Sequence, residues 1–172
     1  MPTKIDTIKL SCYLDSQTYE AFKEKALRKG LSVSSYLRFL IIKNLDEKFI
    51  IILGYNQITK KIITKAIAQG IRAVVVEKDS LKIEKLMLES FTPTVPVLRS
   101  DTLSVRVLES AGLTKKNCKA IVSLFDEDAI NLKITLIAKT LNKNVKIAVK
   151  STTSNQTENL VDLDADIIIN PF

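Results

Sequence analysis

The apolar run FIIIL at 49–53 leads straight into GYNQIT at 54–59, and a lysine-bearing helical pattern follows. A strand that ends in glycine and feeds a helix can cradle a phosphate. The turn and the first helical residues present unpaired backbone N–H groups, and the helix dipole puts its positive end there. A dinucleotide loop asks for glycine at three places, G-x-G-x-x-G. The second lets the backbone approach the pyrophosphate, and the third lets helix and strand pack closely. Gly54 holds the first place here, but Asn56 and Thr59 hold the other two. Asn tolerates unusual backbone dihedrals yet adds a side chain where phosphate would lie. Thr59 adds a branched group at the close contact, and Lys60 and Lys61 come a turn later, outside the loop. Glu77 closes the run RAVVVE (72–77), where an acid can hold a ribose or simply be solvated. A tightly held dinucleotide is therefore disfavoured. A mononucleotide with Glu77 on its ribose, or a pocket that has lost its ligand, remain as the two readings.

Other chemistry is sparse. The chain has no histidine, which excludes Cys/His zinc sites and the histidine-dependent nucleophilic triads. Cys12 and Cys118 stand far apart and form no pair motif. The acids of FDED (125–128), Asp126 among them, could attract a cation. Carboxylates favoured by a helix N-terminus explain them as well. The one Y-x-x-x-K, Tyr19 to Lys23, precedes any cofactor fold and reads as one ring facing a core and one exposed charge. No constellation with enzyme geometry emerges, so the chain is expected to be neither an enzyme nor a metal protein.

These residues must be positioned by 172 residues with an apolar content of 46%. That length suits one standard domain or one plus a small module. No apolar run approaches the roughly 20 residues of a membrane span, and MPTKIDTIKL lacks the apolar core of a signal peptide. A soluble cytoplasmic protein without membrane insertion is the expectation. The net charge is +7, spread as +3 over residues 1–48 and +4 over the remainder. It permits nucleic-acid binding without demanding it.

The first 46 residues have their own pattern. TIKLSCYLD (7–15) alternates, with Ile8, Leu10, Cys12 and Leu14 on one face, as a half-buried strand does. Asp15 or Ser16 caps a helix whose apolar face is Tyr19, Phe22 and Ala26 with Leu27 beside them. Gly30 ends it, and Ser32 caps a second helix with Val33, Tyr36, Leu37, Leu40 and Ile41 buried. About 45 residues bury too little surface to stand alone, and a lone alternating strand is an open edge. The expectation is that two chains pair these strands and four helices close over the apolar face. The stretch IKLSCYLDSQTYEAFKEKALRKGLSVSSYLRFLI resembles a ribbon-helix-helix DNA-binding domain of the Arc/MetJ/CopG type. The resemblance implies that the ribbon enters the major groove of double-stranded DNA with Lys9, Ser11 and Tyr13 facing base edges. It also places the start of the second helix, Ser32, Val33 and Ser34, against a phosphate.

From 47 to 172 the pattern alternates strand and helix. Strands are expected at 49–53, 72–77, 95–98, 119–124, 145–150 and 166–170. This predicts a Rossmann-like α/β domain with a six-stranded parallel sheet in order 3-2-1-4-5-6. The landmarks FIIILGYNQITKKIITKAIAQG, VVVEKD, SDTLSVRVLESAGLTKKNCKAIVSLFDEDAINLKITLIAK and ADIIINPF resemble the N-terminal lobe of potassium-conductance regulator (RCK, TrkA-N) domains. That resemblance implies a pocket for NAD, ATP, ADP or AMP lined by Gly54, Asn56, Glu77, Asp101 and Asp126. The two resemblances together imply a ligand-responsive transcriptional regulator, a homodimer or tetramer linked to potassium transport. The alternative is a cytosolic regulatory subunit of a potassium channel or transporter, in which the N-terminal module only dimerises.

Overall fold

The computed structural model describes residues 14–44, 47–101 and 103–170. Two helices come first, α1 (Ser16–Arg28) and α2 (Val33–Asn44). Asp15 caps α1 by accepting from the Thr18 N–H at 2.8 Å and the Thr18 hydroxyl at 2.6 Å. Gly30, at φ +66°, takes the left-handed turn that a side chain would resist. The strand expected at 7–15 and the joint at 45–46 lie outside the described residues.

A parallel sheet follows, with strands β1 (Phe49–Leu53), β2 (Arg72–Glu77), β3 (Val97–Arg99), β4 (Cys118–Ser123), β5 (Lys146–Lys150) and β6 (Ile167–Ile169). Their spatial order is β3-β2-β1-β4-β5-β6, as expected for a Rossmann-like sheet. The crossover helices are α3 (Gln57–Ala68), α4 (Ser80–Leu88), α5 (Val105–Ala111), α6 (Asp128–Leu141) and α7 (Ser154–Asp162). All five residues of β1 are buried because helices cover the sheet on both faces. Ile50 and Ile52 pack with Ile63 and Ala66 of α3 and with Ile83 and Leu86 of α4. Phe49, Ile51 and Leu53 point the other way, into the layer with Leu108 of α5, Ile134 of α6 and Leu160 of α7. β3 begins two residues later than its apolar run; Val95 and Pro96 are buried ahead of it, and the Pro96 carbonyl accepts the Val75 N–H of β2 at 3.0 Å. α5 starts at Val105, where Ser104 supplies the cap.

The two N-terminal helices differ from expectation in what covers them. Ala26, Leu31, Tyr36 and Phe39 belong to the same core as Ile51, Val74 and Leu98 of the chain's own sheet. The Lys29 carbonyl also accepts the N–H of Arg99 at the end of β3, at 3.2 Å. This corrects the expected buried set. Tyr19 is 42% exposed and Leu27 67%, Ile41 is exposed too, and Phe39, absent from the expected face, is 1% exposed. A symmetric partner was expected to cover one face of each helix. Of the expected faces, Ala26 and Tyr36 are buried and Phe22 and Leu40 pack against the same core, with Phe39 added from α2. Beyond the joint, Glu47 pairs with Arg72 at 2.7 Å and its carbonyl accepts from Asn117 Nδ2 at 2.8 Å.

Candidate functional site

The loop between β1 and α3 is where the sequence placed a phosphate. Gly54 adopts φ +81°, and a Cβ there would lie 3.4 Å from the Phe125 ring. The positive φ of the turn favours glycine here, while the ring would leave a Cβ at ordinary contact distance. Five of the six loop amides, those of Gly54, Tyr55, Asn56, Ile58 and Thr59, are engaged by the protein itself. The Gly54 N–H donates to the Val76 carbonyl at 2.9 Å, continuing the sheet. The Tyr55 N–H donates to Glu77 Oε2 at 2.7 Å. Asn56 donates its N–H to Thr59 Oγ1 at 2.8 Å, while Asn56 Oδ1 accepts from Ile58 and Thr59 N–H, both at 2.9 Å. This is a reciprocal capping box. The residues at the two glycine places thus satisfy the N–H groups of Asn56, Ile58 and Thr59, three of those a pyrophosphate would use. Thr59 is fully buried beneath the loop.

Glu77 is buried, which corrects the reading of it as a solvated acid. Besides Tyr55, it accepts from the N–H groups of Lys78 at 2.8 Å and Asp79 at 2.9 Å, through Oε1. Three backbone donors hold the charge of a carboxylate out of water. Its position at the end of β2 is the one the sequence assigned. Its oxygens tie the β1 loop to the β2 loop.

Tyr55 fills the space beside the loop and is 6% exposed. Its hydroxyl donates to Glu89 Oε1 at 3.2 Å, and Lys60 Nζ reaches the same oxygen at 2.6 Å. Burial, reinforced by the neighbouring Glu89 charge, pushes the phenol up to about 12. The Lys60 hydrogen bond holds Glu89 below the ordinary carboxylate range. Lys60 therefore serves a carboxylate of this chain.

Asp101 is exposed, two residues beyond the end of β3. Asp126 is exposed and ion-paired with Lys150, whose hydrogen bond lowers its pKa. The structure therefore brings Gly54, Asn56 and Glu77 together and leaves Asp101 and Asp126 on the surface. Asn131 is a residue that sequence reasoning missed. Fully buried on α6, its Oδ1 accepts from Ser123 Oγ at 2.7 Å and the Phe125 N–H at 3.3 Å. Its Nδ2 donates to the carbonyls of Phe125 and Lys150, both at 2.8 Å. It thus fixes the loop that carries Phe125 over Gly54. A lone Asn in a helical pattern carries no signal of this kind. Cys118 is buried, and burial pushes its thiol up to about 12, so it packs as an apolar side chain.

The residues that the ribbon-helix-helix resemblance assigned to base edges, Lys9, Ser11 and Tyr13, lie outside the described residues. Ser32 does cap α2, accepting from the Ser35 N–H at 3.2 Å. Val33 is half-buried and Ser34 exposed. Among the described residues, no group of three or more acids or cysteines could hold a metal. No described helix is long and apolar enough to cross a membrane.

The family model described as the TrkA-N domain matches residues 50–171. Potassium channel protein 1 of Methanocaldococcus jannaschii is 29% identical over 131 residues, which is 76% of this chain and 38% of the channel. The chain thus spans under two fifths of that relative's length. Among solved structures, the TrkA-N domain of inner membrane protein ybaL from Escherichia coli superposes with TM-score 0.62 at 14% identity. It covers 73% of this chain and 88% of that one. The GsuK protein bound to ADP superposes with TM-score 0.60 at 20% identity, over 74% of this chain and 32% of that one. At these identities the structural likeness speaks to fold.

Proposed function

The chain belongs to the TrkA-N domain family, and from that premise we propose that it is a cytosolic regulatory subunit acting on a potassium channel or transporter. The observation that carries this reading is the family match through 50–171, joined to the alignment with a potassium channel of an archaeon. The packing of the N-terminal helices supports it. Their apolar side chains stabilise this chain's own sheet, so their presence is explained without DNA. Segment 1–13 would then serve to pair two copies.

A dinucleotide held through the loop is not part of this proposal. The N–H groups of Tyr55, Asn56, Ile58 and Thr59 already have partners in Glu77, Thr59 and Asn56. Binding a pyrophosphate there would require breaking a capping box that contributes about 1 kcal/mol, and bringing a second negative charge beside buried Glu77. Regulation is proposed to pass through assembly with the transport protein, with any nucleotide held by its ribose or base.

The DNA-binding regulator remains the rival, because the helix–turn–helix spacing of 16–44 with its caps is present as the resemblance implies. Two measurements separate them. Rubidium uptake in cells with and without the gene should change, and the intact chain should restore it. A gel-shift titration on the DNA upstream of the gene should show no salt-steep binding. Unchanged uptake together with tight, salt-steep binding of that DNA would reverse the order of the two readings.

A further inference from the structure

We propose that the cleft between the turn after α1 and the end of β3 binds a small phosphoryl-bearing anion, held by Lys29, Arg99 and Arg106 with Arg28 at its rim. The cleft has a volume of about 150 Å³ and is lined by these four cations, with Leu98 and Ser110 among its walls. No acid lines it. Arg28 is engaged by Glu24 on its own helix. Lys29, Arg99 and Arg106 form no ion pair among the described residues. The backbone holds the cations together. The Lys29 carbonyl accepts the Arg99 N–H, and Gly30 leaves room for the Arg99 stem, where a Cβ would come within 2.5 Å of Arg99 Cβ.

Like charges held together without a counter-ion repel. Lys29 shows it, since burial and then the Arg106 charge lower its pKa. An anion in the cleft would relieve that repulsion, and guanidinium forks match phosphoryl oxygens two at a time. A concave wall of one sign also concentrates counter-ions. Size limits the ligand. Sites for drug-sized molecules run to roughly 300–1,000 Å³, so this cleft takes a phosphate or pyrophosphate group and not a whole dinucleotide. Two of the four cations, Arg28 and Lys29, precede the part of the chain that the family model covers. None of the residues lining the cleft belongs to the loop at Gly54, and the site stands or falls independently of the potassium reading. An occupant would clamp the N-terminal helices to the sheet.

Calorimetric titration of the intact chain with inorganic pyrophosphate at low salt tests this. One saturating event per chain is expected. Lys29→Gln/Arg106→Gln should weaken it about tenfold or more. Lys116→Gln/Lys143→Gln, which removes two exposed lysines away from the cleft, should leave it unchanged. Circular dichroism checks that the variants fold, and the single exposed Arg106→Gln serves if the double variant does not. Parallel titrations with ADP and adenosine name the source. ADP binding that is lost in the double variant places the phosphoryl group on a nucleotide, and pyrophosphate alone points to a free polyphosphate. The proposal is overturned by no saturable binding of pyrophosphate, by equal loss in both double variants, by full binding in the Lys29/Arg106 variant, or by adenosine competing as well as ADP. Duplex DNA binding without any for pyrophosphate has the same force.

Discussion

Two residues decide what the loop after β1 can do. Asn56 and Thr59 occupy glycine places, and each donates or accepts so as to close the helix end on itself. Asn56→Ala removes the acceptor for two N–H groups. It should lower stability by about 1 kcal/mol in urea denaturation. A loss near zero would show that water replaces the cap. Tyr55 gives a pH signature. Its phenol is pushed up to about 12 in the folded chain against about 10 unfolded. The neutral form is thus favoured by folding. Its stabilising effect is complete below about pH 10 and is lost as pH rises from there through about 12. The urea midpoint of the parent should fall more steeply over that window than that of Tyr55→Phe, which has no proton to lose. Parallel curves for the two proteins would sink this account of the Tyr55–Glu89–Lys60 cluster. Gly54, Asn56, Thr59 and Glu77 were all legible as site residues from spacing. What they bond to was not, because a side chain's partner depends on which strands lie beside it.

At the scale of elements, strand content and order followed from apolar runs separated by helical periodicity, and the crossovers fall where the alternation put them. The N-terminal pair was legible in its caps, Asp15, Gly30 and Ser32, which are local signals. Its buried face was not, because helical periodicity names a stripe and not the body that covers it. Phe39 faces the sheet, while Tyr19 and Leu27 remain in solvent. Gly30 is the hinge of this docking. Gly30→Ala must place a methyl against Arg99 at a backbone φ of +66°, and it should cost on the order of 1–3 kcal/mol. Thermal melts check it, and an unchanged midpoint would mean that the helices sit elsewhere. Phe39→Ala, by emptying a site 1% exposed, should cost about 3–5 kcal/mol.

Taken as a whole, the molecule has two core layers, one on each face of the sheet, and one of them runs from Ala26 and Phe39 through Ile51 to Leu160. Helices sharing a core with a sheet unfold with it. Hydrogen exchange should therefore show the central amides of α1 and α2 protected to nearly the same free energy as those of β1. Exchange of α1 and α2 far ahead of β1 would mean an independently opening module, and it would restore the case for a free DNA-binding head.

Apolar period and turn chemistry are properties of neighbours along the chain. The amino-acid order alone therefore determined the six strands, their parallel Rossmann-like arrangement, the caps of the first two helices and the missing loop glycines. Burial direction and bond partners join residues distant in the chain, such as Tyr55 with Glu77, Asn131 with Lys150, and Lys29 with Arg99. Only the tertiary structure could decide that five of the six loop amides already have partners, that the leading helices lie on their own sheet, and that cations separated by some seventy residues converge on one cleft.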